Sequence, residues 1–139
     1  AVVLQAIPTR GRVVLIGHAL GGGVCLDVVR RRAVDLLVLL AVPPFWPGGT
    51  PLPPPRTALS AAAVERVERY LRRVCAGPPP AGMPVVHFVG SKDRWVSEEQ
   101  SRKGPFAVRM IHGAGHSLVH SAHLGHALGE VLAAHGFGS

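Results

Sequence analysis

Two kinds of hydrophobic pattern alternate along the chain. Val13–Ile16 is a short, unbroken, β-branched apolar run, which predicts a strand buried on both faces. It runs into the glycine-rich stretch Gly17–Gly23. Val24–Arg32 then reads as a helix, with Arg30, Arg31 and Arg32 at the C-terminal end, where cations suit the helix dipole. Asp35–Val42 predicts a second buried strand, ended by Pro43 and Pro44. Val85–Val89 and Ala107–Ile111 predict a third and a fourth, with a short polar helix over Ser97–Lys103 between them. A longer helix, Leu118–His135, closes the chain with Leu124, Leu128, Val131 and Leu132 as its apolar stripe. Ahead of the first strand, Ala1–Ile7 reads as the end of a helix stopped by Pro8.

Between the second and third strands the pattern is interrupted. Residues 43–55 hold seven prolines and two glycines, so an irregular excursion is expected there. Ser60 is placed to cap the helix that follows, whose stripe is Val64, Val67, Leu71 and Val74. Glu65–Arg69 and Glu68–Arg72 are spaced as ion pairs on its other side. An ordinary crossover helix packed on a sheet is expected here, in preference to a lid helix or a partner-binding helix. Strands separated by helical crossovers imply a parallel sheet with flanking helices, an α/β architecture in one domain over 1–139. The excursion and helix at 43–76 form a cap-like insertion in it.

Composition narrows the function classes. The chain has 139 residues, of which 47% are hydrophobic and 17% charged, a globular balance that excludes disorder. Two cysteines, Cys25 and Cys75, cannot form a disulfide framework or a zinc site of ordinary spacing. Cys25 is expected in the core. The longest apolar run, broken by Asp35, is too short to span a bilayer, so no membrane span is expected. The formal charge of +7 invites a nucleic-acid reading. No aromatic residues interleave with the scattered arginines, however, as a single-strand platform requires, so no nucleic-acid partner is expected. His116, His120, His123 and His126 recur at metal-like spacings, but on a helix the last three drift by about 60° per step. At most two could meet one ion, and no metal site is expected. No signal peptide is visible. The first residue is Ala, not Met, so the true start is expected upstream, and a cytoplasmic setting is favoured.

Three segments carry chemistry. Gly17-His18-Ala19-Leu20-Gly21 joins a strand to a helix through a sharp turn, with glycines two residues either side of Ala19 to relieve crowding. The loop after the third strand holds Asp93 in Ser91-Lys92-Asp93-Arg94-Trp95. The loop after the fourth holds a glycine-bracketed histidine in Gly113-Ala114-Gly115-His116-Ser117. A carboxylate at a strand end can orient a histidine on the neighbouring loop.

Turn, acid and histidine in that chain order resemble the α/β-hydrolases, whose Gly-x-Ser-x-Gly elbow precedes an acid and then a histidine. The chain is similar in flavour to esterase, acyltransferase-like or peroxidase-like members with a Gly-His-Ser-x-Gly-Gly elbow, and the resemblance covers nearly its whole length. It implies Ala19 at the nucleophile position, Asp93 and His116 at the acid and base positions, and the Leu20 backbone N–H as an oxyanion donor. His18 and Trp95 are implied at the substrate pocket, with an acyl or ester small molecule as ligand and no cofactor.

Two departures set the functional expectation. Ala19 stands where the family has Ser, and a methyl group cannot attack a carbonyl. Loss of a triad member costs on the order of a millionfold in serine proteases. Neither Cys25 in its helix nor Ser117 on the histidine's own loop is an evident replacement. The four strands also resemble the last four of an eight-stranded sheet, so an N-terminal half is expected to be missing. That would leave 13–16 as an apolar edge prone to self-association. Three functions remain: a serine esterase or thioesterase-like domain with a vacant nucleophile position, an Asp93–His116 dyad acting as general base without a serine, and a non-catalytic binding protein.

Overall fold

The computed structural model describes residues 11–51, 60–118 and 121–137. The expected helix end at 1–7, residues 52–55 of the excursion and His120 lie outside them. Among the described residues there are four strands: β1 (Val14–His18), β2 (Leu36–Leu40), β3 (Val85–Gly90) and β4 (Ala107–Ile111). They form one parallel sheet in the order β1-β2-β3-β4, with Val14 opposite Leu36, Leu37 opposite Val85, and Val86 opposite Ala107. All strands therefore end at one edge of the sheet.

Every residue of β2 is buried, which requires helices on both faces. On one face, Leu37 and Leu39 pack with α1 (Leu20–Arg31) and α2 (Ala61–Val74) through Leu26, Val29, Leu71, Val74 and Trp46. On the other face, Leu36, Val38 and Leu40 pack with α4 (Ala122–Ala134) through Leu124, Ala127 and Val131. The short α3 (Glu98–Arg102) precedes β4, with Ser97 as N-cap accepting from the Gln100 N–H. Ser60 caps α2 in the same way, accepting from Ala63, and Glu65 pairs with Arg69 at 3.1 Å. Within the expected stripe of α2, Leu71 and Val74 are buried but Val67 stays exposed, because only the last turns of the helix meet α1 and the sheet.

Two boundaries differ from expectation. α1 begins at Leu20, four residues before Val24, so its first turn contains three successive glycines. Intrinsic helix propensity disfavours them, but bulk there would collide with packed neighbours: a Cβ on Gly22 would fall 2.1 Å from the Val42 side chain. α4 begins at Ala122, four residues after Leu118. Leu118 has a φ of 32°, which a helix cannot include, and its side chain is spent on the core.

The excursion is held at its start. Trp46 is buried and donates its indole N–H to the Gln100 carbonyl at 3.0 Å, while the Thr50 N–H donates to the Gln100 side chain at 2.7 Å. Edge-on contacts place the Trp46 ring against His87 and Phe106. His87, on β3, is fully buried. Its Nε2 accepts the Val42 N–H at 3.0 Å, so the proton of the neutral ring sits on Nδ1, which has no partner among the described residues. Burial lowers its pKa to about 4, and a second proton would also have to displace the Val42 N–H.

His87 therefore makes stability depend on pH. Its native pKa lies below the ordinary value of 6.5, so its contribution is complete above pH 6.5 and is lost as pH falls towards 4. The expected loss is about 3 kcal/mol. Urea unfolding at pH 7 and pH 4.5 should show it, and His87→Leu should flatten that part of the pH dependence.

Candidate active site

The shared strand edge gathers the three chemical segments. Each strand's pairing continues one step beyond it. The Ala19 N–H donates to the Leu40 carbonyl at 2.8 Å, Ala41 to Phe88 at 2.9 Å, and Ser91 to Ile111 at 3.0 Å. These bonds fix the first residue of each loop relative to its neighbour.

Ala19 occupies the turn between β1 and α1 with φ 52° and ψ −124°. L-residues rarely adopt this conformation, and it costs on the order of 1–3 kcal/mol. The turn also needs Gly17. A Cβ there would lie 2.7 Å from the Cys25 sulfur and 2.8 Å from the Gly21 carbonyl oxygen. Leu20 is the first residue of α1, where backbone N–H groups have no intrahelical acceptor. Cys25 is buried, and desolvation raises its thiol pKa, so it is no nucleophile at neutral pH.

Asp93 has a wholly covered side chain. Its Oδ1 accepts the N–H groups of Trp95 (2.7 Å) and Val96 (2.9 Å), which aims Oδ2 across to the next loop. There Oδ2 meets His116 Nδ1 at 2.9 Å. The carboxylate accepts only, so the neutral ring carries its proton on Nδ1 and leaves the Nε2 lone pair free. Nε2 has no hydrogen-bond partner among the described residues.

The approach of the two loops depends on Gly90, the last residue of β3. A Cβ on it would lie 2.3 Å from the Ala114 carbonyl oxygen and 2.7 Å from that of Gly115. The Lys92 N–H donates to the same Ala114 carbonyl at 2.9 Å, and Ser91 Oγ accepts the Gly113 N–H at 2.7 Å. Ser91 and Gly90 thus hold the histidine loop. Their only sequence signal is small size beside the acid.

His18 joins the cluster. Its Nε2 donates to the His116 carbonyl at 3.0 Å, and the two rings lie 5.5 Å apart between centroids. Ala19 follows His18 directly in the chain, so its turn is tied through His18 to the His116 loop. Trp95 is 40% exposed and is tied to the cluster only through its backbone. A cavity of about 510 Å³ lies against the outer part of the histidine loop, lined by Gly113, Gly115, Ser117 and Leu118 among others. Ala19, Asp93, His116, His18 and Trp95 are not in its walls, so it is distinct from the cluster. Among the described residues, no three His, Cys, Asp or Glu side chains gather as a metal site, and no helix is long and apolar enough to cross a membrane.

No protein-family model and no curated protein matches the sequence. Solved structures do match the fold. A methylesterase protein, MES16, from Arabidopsis is similar over 94% of this chain and 73% of its own, with 16% identity and a TM-score of 0.61. Est1E from Butyrivibrio proteoclasticus is similar over 94% and 64%, with 17% identity and a TM-score of 0.65. Human thioesterase 2 is similar over 96% and 77%, with 12% identity and a TM-score of 0.60. The esterase domain of a Rhodothermus marinus protein is 22% identical, and this chain spans 59% of its length. The four-stranded parallel sheet with flanking helices is thus the α/β-hydrolase fold, in a chain shorter than the structures it matches.

The Gly90 contact yields a direct prediction. Gly90→Ala should push the 113–116 loop outward, lower stability by about 1–3 kcal/mol and break the Asp93–His116 bond. The checks are thermal unfolding and loss of the downfield His116 Nδ1 proton resonance in NMR spectra.

Proposed function

We propose that this chain is a domain of serine esterase or thioesterase-like ancestry acting on small acyl or ester ligands, with Ala19 at the vacant nucleophile position. The observation that carries the reading is the Asp93–His116 hydrogen bond, with His18, the residue before the turn at φ 52°, bonded to the same His116 loop. In this reading His116 Nε2 is the base, Asp93 fixes its tautomer and orientation, and the Leu20 N–H is one oxyanion donor. Hydrolysis by the covalent route is impaired, because position 19 offers only a methyl group. His18 and Trp95 border the acyl site.

The test is to supply the missing oxygen. Ala19→Ser should raise hydrolysis of a p-nitrophenyl ester or an acyl thioester at least about a hundredfold over the unaltered chain. The gain should vanish on His116→Ala. A folded Ala19→Ser variant with no gain would sink the proposal.

The unpartnered Nε2 also favours a second reading, in which the dyad removes a proton without any serine. The unaltered chain would then show a base-dependent activity, lost in His116→Ala and not increased by Ala19→Ser.

We propose in addition that the chain associates with itself through the β1 edge. Among the described residues β1 lies at one end of the sheet, with Ile16 47% exposed and Leu20 and Val24 exposed on the adjoining helix. An apolar strand edge of this kind can pair with a second copy of the chain. Sedimentation velocity should show concentration-dependent dimers that Ile16→Lys abolishes, while the monomer keeps its circular dichroism spectrum.

A further inference from the structure

The outer face of α2 has a chemistry that the hydrolase reading does not use. Arg66, Arg69, Tyr70 and Arg73 recur three and four residues apart, so they share one face of the helix. Together they line a cavity of about 330 Å³. Like charges at these spacings repel one another, and a bound anion would offset that repulsion.

The nearby carboxylates are already engaged. Glu65 pairs with Arg69 at 3.1 Å, with both side chains more than 70% exposed. Asp27 on α1 accepts the Tyr70 hydroxyl at 2.9 Å and pairs with Arg31 at 3.5 Å. The Tyr70 bond fastens one wall of the cavity to α1, giving the face a fixed element among flexible side chains. Arg73 lies over the Tyr70 ring at 5.4 Å, and its guanidinium has no carboxylate partner among the described residues. Arg66 has neither a hydrogen bond nor an ion pair among them. Two guanidiniums with unused donors therefore flank a third whose single ion pair is open to water.

Spacing selects the ligand. Arg66 and Arg73 are seven residues apart, which is roughly 10 Å along the helix axis. A diphosphate offers separate oxygens to arginines at both ends of the row, so it engages more of their donors than a single phosphate group does. Planar guanidiniums match phosphate oxygens in a bidentate geometry, so each arginine of the set can hold one phosphate edge. We infer that this face of α2 binds a small molecule through its diphosphate group. The site is built on α2 and does not depend on the reading of Ala19, Asp93 and His116.

Calorimetric titration of the unaltered chain with pyrophosphate, at fixed ionic strength, tests it. Saturable binding is expected with one site per chain, at least about tenfold tighter than for sulfate or orthophosphate. Arg66→Gln and Arg73→Gln should each weaken it about tenfold. Arg66 has no partner among the described residues, so its variant should keep the thermal unfolding midpoint and separate lost binding from lost fold. Arg102→Gln, on α3 and paired with Glu98, should bind like the unaltered chain. The inference is overturned if pyrophosphate does not saturate, if sulfate binds equally well, or if all three variants weaken binding alike. Tight binding of a single-stranded oligonucleotide with none of pyrophosphate would overturn it in favour of a nucleic-acid surface.

Discussion

β2 is a strand of leucines and a valine with no residue in contact with water, and the architecture is arranged around that constraint. Its even positions and its odd positions belong to different cores, so neither sheet face can be left open. α1 and α2 close one face and α4 the other. Parallel pairing to strands on both sides then brings every strand end to the same edge. The candidate site is a consequence of this arrangement, since its residues follow the ends of β1, β3 and β4.

At that edge the chain accepts local strain to gain proximity. Ala19 and Ala41 both have positive φ, and both donate their N–H groups to the strand next door. At each, a backbone hydrogen bond and a tight exit from the sheet outweigh an unfavourable dihedral. Ala41 ends a strand buried in the core and is itself wholly buried, which accounts for a small side chain there. Ala19 has no such account from packing alone: it is only partly buried, and the residue before it bonds to the His116 carbonyl.

Buried and exposed polar groups play different parts. His87 contributes to the core only as a neutral acceptor for Val42, wedged against Trp46 and Phe106. The arginines of α2 stay in water, where their charges cost little individually but add up along one face. His116 lies between these cases, partly covered and held by a fully covered carboxylate. Such a ring can exchange a proton with a ligand while keeping one orientation.

The strand and helix order, the parallel α/β class and the chain order of turn, acid and histidine are all legible in the sequence. Each depends on local periodicity or on small residues at short spacing, which a linear pattern records. It misplaced the starts of α1 and α4. The glycines after Ala19 read as a loop until Val42 is seen against Gly22, and Leu118 reads as helix until its φ is known. It took the folded chain to show that Gly90 admits the histidine loop, that His18 grips the His116 carbonyl, that His87 is buried and that Arg66, Arg69 and Arg73 line one cavity. Those facts rest on contacts between residues far apart in sequence, or on which side of a helix is left uncovered. Hydrophobic periodicity specifies which face is buried, but not what it is buried against.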